Sequence, residues 1–508
     1  MAKQFELPRD YYFWGQDRLG SLLPLVSSIF CKAFPFEPII IVSIIHYFFL
    51  FISFQILASL IRQWWLKIAL AAFIFLPVNE YNHLILIGHP YASQLLCGSL
   101  FIYFSFYFYK TFEGSYVVAK FYFKACLFSF LSILFYCFGI WVSPVNASLI
   151  IIPILFIFFH SYEIIEKLKY AIYKPFFYFL IILNVTQVLC LVYFHFSFKR
   201  FSLPVSNTQY NQLIVDSKEK AVETIERFFQ QVNSSLLFKN DVFIDDVFNW
   251  FTAISLIVLP FIIFRLKKST ALKRIKVLLF SLIILSGVDF LLIFFSNWNY
   301  IGGFCPRYFT PIYVLLAFSL ICILSYAEIR TFIQISYTIF LLTISIIYCN
   351  NSLISKKLKT PIQEMCDFEK LPKGTLIGDF WDVYKINSIA TQLNCIPFNH
   401  QTVRNFDWKD EALSNSIFYL IKNTYENFES KNDSFFQFGY FFVPTGKVFN
   451  CNGTEVWQYK KSNAQPLDKF ILRASNNFFI KSDSNSKSLL ANEPDSSKAL
   501  VFSTEITR

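Results

Sequence analysis

The chain reads as an α-helical polytopic membrane protein of about ten transmembrane helices, followed by a C-terminal extracytoplasmic α/β domain. Three observations predict this. Apolar runs about as long as a bilayer crossing recur between residues 36 and 349. Lys and Arg collect in every second gap between those runs, which is how cytoplasmic loops are marked. From residue 350 to residue 508 the composition turns to Ser, Asn, Lys and Asp, as in a water-soluble domain. Charged residues make up 16% of the chain and hydrophobic ones 55%; an ordinary soluble domain carries roughly 25% charge.

A membrane helix needs about 20 apolar residues. Ten stretches qualify: 38–61, 64–78, 89–109, 121–142, 147–165, 175–195, 248–264, 275–295, 307–327 and 331–349. The second is short and reads as a half-span or a tilted one. Arg62 and Lys67 follow the first stretch, Lys110, Lys120 and Lys124 the third, and Lys167, Lys169 and Lys174 the fifth. Arg265, Lys267, Lys268, Lys273, Arg274 and Lys276 follow the seventh, and Arg330 the ninth. The gaps 79–88, 143–146 and 296–306 hold no Lys or Arg, with Arg307 at the edge of the last. The alternation puts the segment before the first span outside the cytoplasm, although no apolar leader precedes it. Either that tail crosses unaided or a further helix lies upstream; the second is the expectation. The stretch 19–34 is too short to span and is expected at the interface.

In the long outer gap 196–247, Ile214, Ala221, Val222, Ile225, Phe228, Phe229 and Val232 recur at helical spacing. They predict an amphipathic helix on the bilayer or over a site below it, or one packed on the soluble domain. In the C-terminal domain (350–508), 375–380 reads as a buried strand, 381–393 as a helix and 410–428 as an amphipathic helix. Residues 447–459 read as a hairpin turning at Asn452-Gly453. The last 25 or so residues have the composition of a weakly ordered tail. Most cysteines fall inside spans; Cys366, Cys395 and Cys451 do not, and a Cys366–Cys395 bridge is open. Zinc spacings, glycine-rich dinucleotide loops and P-loops are absent from the sequence. The net charge of +11 owes much to the cytoplasmic loops and does not argue for nucleic acid.

Polar residues at span ends or at membrane depth are costly and mark function more often than chance. They gather in three outer places. The first runs from Asp10 to Gly20, DYYFWGQDRLG. Asp10 and Asp17 offer a general base or a metal ligand, and Arg18 offers a bidentate clamp for phosphate. Tyr11, Tyr12 and Trp14 offer rings for stacking on a sugar. The structural alternative is an aromatic belt whose Arg–Asp pair fixes the loop. The second place joins Glu80 and His83 to His89, two of the chain's six His within seven residues; such a set suits a divalent cation or a phosphate. The third ends at Arg307, which either snorkels to headgroups or holds a lipid phosphate. Asp289, inside the eighth stretch, needs a partner, whether a ligand or a neighbouring helix.

These residues together resemble the GT-C-type integral membrane glycosyltransferases, the group that includes protein mannosyltransferases and lipid-A aminoarabinose transferases. Asp10-Tyr11-Tyr12 resembles the acidic first outer loop of that group, and Glu80 with His83 its second. WVSPVNASLIIIP (141–153) is similar to an outer turn leading into a span, and CPRYFTPIYVLL (305–316) to a Pro-Arg-Tyr run opening a late span. GDFWDVYKI (378–386) is similar to a Gly-Asp-Tyr-Trp segment in bacterial members. There are departures: the helix that precedes the acidic loop in the family is missing here, and Glu80 stands without an adjacent Asp. The resemblance implies a multi-pass enzyme of the bacterial inner membrane. It would transfer a sugar from a polyprenyl-phosphate donor to a glycan, lipid or protein acceptor by inverting displacement. Asp10 or Asp17 would be the base, with Tyr11, Tyr12 and Trp14 stacking on sugar or acceptor. Arg18, His83, His89 and Arg307 would steady the departing phosphate. Glu80 would touch metal or substrate, and a divalent cation is optional. Two alternatives stand beside it: a transporter or flippase for a lipid-linked glycan, and a degenerate, non-catalytic member of the family.

Overall fold

The computed structural model describes residues 20–113, 118–162, 174–199, 217–236, 270–301, 306–326 and 330–349, apart from isolated positions. Beyond these it describes 368–378, 392–397, 411–421, 434–451, 454–462, 470–473, 479–482 and a few single residues. The chain divides into two compact units, Met1–Leu358 and Lys359–Arg508.

The first unit is helical. In chain order its helices are α1 (Leu22–Ala33), α2 (Pro38–Ser59), α3 (Trp64–Phe75), α4 (Tyr91–Glu113), α5 (Val118–Val142) and α6 (Ile151–Phe159). There follow α7 (Lys174–Lys199), α8 (Lys218–Leu236), α9 (Thr270–Phe294), α10 (Asn297–Ile301), α11 (Thr310–Tyr326) and α12 (Thr331–Cys349). Among the described residues, five stretches are long and apolar enough to cross a membrane: Pro38–Ser59, Phe121–Val142, Phe177–Ser197, Ile275–Phe294 and Arg307–Tyr326. The chain is thus membrane-associated. The expected segment 248–264 lies outside the described residues.

Several elements depart from the expected spans for local reasons. α3 has 12 residues, about 18 Å at 1.5 Å each, and does not reach across a bilayer. The expected span 147–165 is a 3-10 turn, Pro144–Ile150, followed by the nine residues of α6. Pro153 explains the switch: proline is tolerated only in the first turn of an α-helix, so α6 begins at Ile151. α4 is 23 residues long but carries Ser93, Gln94, Ser99 and Ser105 on buried faces. Those groups lower its apolarity and serve the interior instead.

α4 packs against α2 and α5, α9 against α6 and α11, and α12 against α3. Between α4 and α5 the Ser105 and Ser132 hydroxyls meet at 2.7 Å. Between α5 and α7, Asn184 Nδ2 donates to Ser129 Oγ at 2.7 Å. Small hydroxyls of this kind let helices approach closely and add modest energy in lipid. The amphipathic helix expected in the 196–247 gap is α8. Its Phe228 ring meets Phe290 and Phe294 of α9 at 5.9 and 5.2 Å, and Glu223 accepts a 2.8 Å hydrogen bond from the Tyr300 hydroxyl of α10. α8 therefore sits over the C-terminal end of α9.

The second unit holds a six-stranded mixed sheet in the order β2-β1-β3-β6-β5-β4 and a separate β7-β8 pair. Its strands are β1 (Gly374–Gly378), β2 (Leu393–Pro397), β3 (Phe418–Ile421), β4 (Phe435–Gln437), β5 (Tyr440–Cys451), β6 (Thr454–Ser462), β7 (Phe470–Arg473) and β8 (Phe479–Ser482). β1 pairs in parallel with β2 and β3, and all five of its residues are buried. β5 and β6 form the expected hairpin, with Cys451 paired to Thr454; the expected turn residues, Asn452-Gly453, lie outside the described residues. The helix expected over 410–428 is overturned: residues 411–414 are helical, and Phe418–Ile421 is a strand. Phe418 and Leu420 join one apolar cluster while Tyr419 and Ile421 join the other, so both faces of this strand are buried. Over the expected helix 381–393, Val383, Ile386 and Asn387 are helical, but 393 begins β2. Cys395 is a buried free thiol in β2; Cys366 lies outside the described residues.

Candidate functional site

The gaps that lack Lys and Arg meet at one end of the first unit. A 3-10 turn, Asn79–Leu84, links α3 to the approach of α4. It packs on a second 3-10 turn, Pro306–Phe309, which opens α11. Two anchors hold the first turn. The Tyr81 ring stacks on Tyr313 of α11 at 4.3 Å and 14°, and Leu84 is buried. The next residues then bring His89 back over His83, with ring centroids 4.7 Å apart and nearly perpendicular. His89 in turn stacks on Tyr91 at 5.9 Å. His46, wholly buried in α2, lies against the backbone of Leu84 and Ile85.

Arg307 is placed by the 3-10 turn that precedes α11. Its guanidinium lies over the Tyr308 ring at 4.9 Å, and Nη2 donates to the Tyr308 hydroxyl at 3.0 Å. The effect on the imidazoles is electrostatic. Burial, followed by the charges of His83, Arg307 and His46, holds His89 down at about 4. Burial and then Arg307 hold His83 below the usual imidazole range. Both rings are thus neutral at pH 7 beside a fixed positive charge, an arrangement that an incoming anion relieves. Among the described residues no group of three or more His, Cys, Asp or Glu side chains is arranged to hold a metal ion.

A cavity of about 50 Å³ lies next to this cluster, lined in part by Leu84, Tyr91 and Thr310. Its polar wall comes from α4, α9 and the 3-10 turn Pro144–Ile150, through Gln94, Ser99, Asp289 and Asn146. Gln94 Nε2 donates to Asn146 Oδ1 at 3.2 Å, and Asn146 Nδ2 donates to the Gly139 carbonyl at 3.1 Å. Asp289 is 3% exposed, and its Oδ1 has no hydrogen-bond partner. Asp289 stood out in the sequence as a carboxylate inside a span. Gln94 and Asn146 did not, because neutral amides at span ends carry no sequence signal until their partners are known.

Of the expected site residues, the structure brings His83, His89 and Arg307 together. Glu80 lies on the same 3-10 turn as His83, but its side chain is outside the described residues. Asp10, Tyr11, Tyr12, Trp14, Asp17 and Arg18 also lie outside the described residues. The residue that ends their run does not. Gly20 N–H donates to the Trp141 carbonyl at 2.7 Å, and a Cβ at Gly20 would meet the Trp141 ring and carbonyl at 2.6 Å. Only glycine fits so close an approach. It ties the end of the acidic run to the C-terminal end of α5, next to the 143–146 gap. Comparison with protein-family models, with curated proteins and with solved structures finds no match for this chain.

Proposed function

We propose that this chain transfers a sugar from a polyprenyl-phosphate donor to a glycan, lipid or protein acceptor at the outer face of the membrane. One observation carries the reading: Arg307, distant in sequence, shares with His83 and His89 the end of the bundle where the Lys- and Arg-poor gaps meet. A phosphate there gains Arg307 as a charged donor and draws protons onto two imidazoles held neutral in its absence. Stacked Tyr81 and Tyr313 lie beside it. In the proposed reaction the acceptor hydroxyl attacks the anomeric carbon, and the carbon–oxygen bond to the phosphate breaks with inversion. Asp10 or Asp17 takes the hydroxyl proton, and polyprenyl phosphate leaves into the basic cluster. About ten spans, with residues 350–508 outside the cytoplasm, put this cluster and the acidic run on one side.

The chain in nanodiscs, given a polyprenyl-phosphate sugar and mixed acceptors, is expected to release polyprenyl phosphate. General-base loss in Asp10→Asn or Asp17→Asn should slow that release by on the order of 10² to 10⁴. Unaltered release by both variants would remove the acidic run from the chemistry. Sidedness has its own test in a cysteine-free background: an impermeant thiol reagent outside should label Ser482→Cys and miss Thr270→Cys. One observation favours the flippase alternative, Asp289 buried within α9 with its Oδ1 lacking a hydrogen-bond partner. In that case the donor reaches the opposite leaflet uncleaved, which the release assay distinguishes.

A further inference from the structure

α8 presents three faces. Thr224, which is buried, and Phe228, on Phe290 and Phe294, face α9. Lys220, Glu223 and Arg227 face α10. Both cations lie over the Tyr300 ring, at 5.8 and 5.1 Å, Arg227 Nη1 donates to the Tyr300 carbonyl at 3.3 Å, and Glu223 accepts from the Tyr300 hydroxyl. Val222, Ile225 and Phe229 form the third face and are exposed, Phe229 by 64%. At about 100° per residue, that apolar face stands roughly 150° round the helix from the charged one.

Contacts with α9 fix how α8 lies. The apolar stretch Ile275–Phe294 has 20 residues, about 30 Å of helix, which matches the hydrocarbon core of a bilayer. Phe290 and Phe294 therefore mark the edge of the core, and the exposed Leu291 and Leu292 beside them face lipid. The chain entering α8 is pinned at this edge, where Val215 N–H donates to the Phe295 carbonyl at 2.9 Å. Phe228, more than two turns farther on, still meets Phe290 and Phe294. A helix descending beside α9 would by then have fallen about 15 Å; α8 crosses the end of α9 instead. α10 continues past the edge, so the charged face on Tyr300 turns out of the bilayer and the apolar face turns back into it. We propose that α8 is an in-plane membrane helix, with Val222, Ile225 and Phe229 immersed in the acyl boundary of the leaflet at the end of the bundle that carries the candidate site. The attraction is apolar: Lys218, Lys220 and Arg227 are offset by Glu219, Glu223 and Glu226, so α8 needs no anionic headgroup. Its seating sets the depth of Arg307 as well, because Phe290 also meets Phe309, on the Arg307 turn, at 5.7 Å. None of this depends on sugar transfer.

The test is spin-label accessibility in the 508-residue chain, freed of its own cysteines and reconstituted in phosphatidylcholine bilayers. Labels at Val222→Cys and Phe229→Cys should collide with oxygen dissolved in the lipid and be shielded from a water-soluble nickel chelate, at a depth of about 5–10 Å. The neighbouring Gln230→Cys, about 100° round the helix, should show the reverse. Added phosphatidylglycerol should leave the depth unchanged. Nickel collisions at 222 and 229 as frequent as at 230 would overturn the proposal in favour of a solvated face. Shielding from both reagents would overturn it in favour of a protein surface, and immersion only with anionic lipid would overturn the apolar basis. Should the cysteine-free chain fail to fold, a photoactivated carbene reagent dissolved in the bilayer decides with the unmodified chain. Labelling at Val222, Ile225 and Phe229 is then expected, and its absence would overturn the proposal.

Discussion

The two ends of the helical bundle use their polar groups in opposite ways. Where α2 meets α3 and α11 meets α12, side chains close on one another. Ser325 Oγ donates to Gln63 Oε1 at 2.6 Å and accepts from Arg62 N at 3.0 Å. Trp65 Nε1 donates to Gln334 Oε1 at 3.2 Å, Gln334 Nε2 donates to the Leu324 carbonyl at 2.7 Å, and Arg62 lies over the Tyr326 ring at 4.5 Å. At the other end Asp289 keeps an unpartnered oxygen, and two neutral histidines crowd an arginine. A satisfied network locks helices, whereas partly satisfied groups are retained at a cost in stability and point to a ligand. The difference separates the end of the bundle that closes on itself from the end that carries the candidate site.

The sharpest test of that contrast is acid. His89 has its pKa lowered from about 6.5 to about 4, so the folded state resists a proton that the unfolded chain accepts. The stability this group contributes is complete above pH 6.5 and is lost as pH falls from 6.5 to 4, by on the order of 3 kcal/mol. Denaturant unfolding across that range should show the loss, and His89→Gln should flatten it. An unchanged slope in the variant would place the acid sensitivity elsewhere.

Breaking the closed end should cost less and leave the candidate site alone. Gln334→Leu strands the Trp65 N–H and the Leu324 carbonyl, and should lower stability by about 2 kcal/mol with no change in phosphate binding. Arg307→Ala should do the reverse. Its expected loss is roughly tenfold in polyprenyl-phosphate affinity, about 1.4 kcal/mol, against little change for the unphosphorylated polyprenol. Equal affinity for both lipids in the unmodified chain would show that the cluster does not read phosphate. The smallest effect is expected midway along the helices, where Ser132→Ala removes the 2.7 Å contact with Ser105. Thermal unfolding should register about 0.6 kcal/mol, the usual worth of such a bond in a membrane.

Residues alone determined where the helices and the β5–β6 hairpin fall. Apolar length, proline position and the Asn-Gly dipeptide act within a few residues, so α2, α4, α5, α7, α9, α11 and α12 follow the apolar runs. The pairing of His83 with His89 was legible for the same reason, and Arg307 stood out because it interrupts a gap otherwise free of basic residues. Tertiary structure alone decided that Phe418–Ile421 is a strand, because a neighbour on each side, β1 and β6, rewards the extended form. It also decided that Asp289 shares a cavity with Gln94, Ser99 and Asn146. Periodicity and capping are local properties of a chain. Which lone pairs face one another across a helix interface depends on packing between residues far apart in sequence.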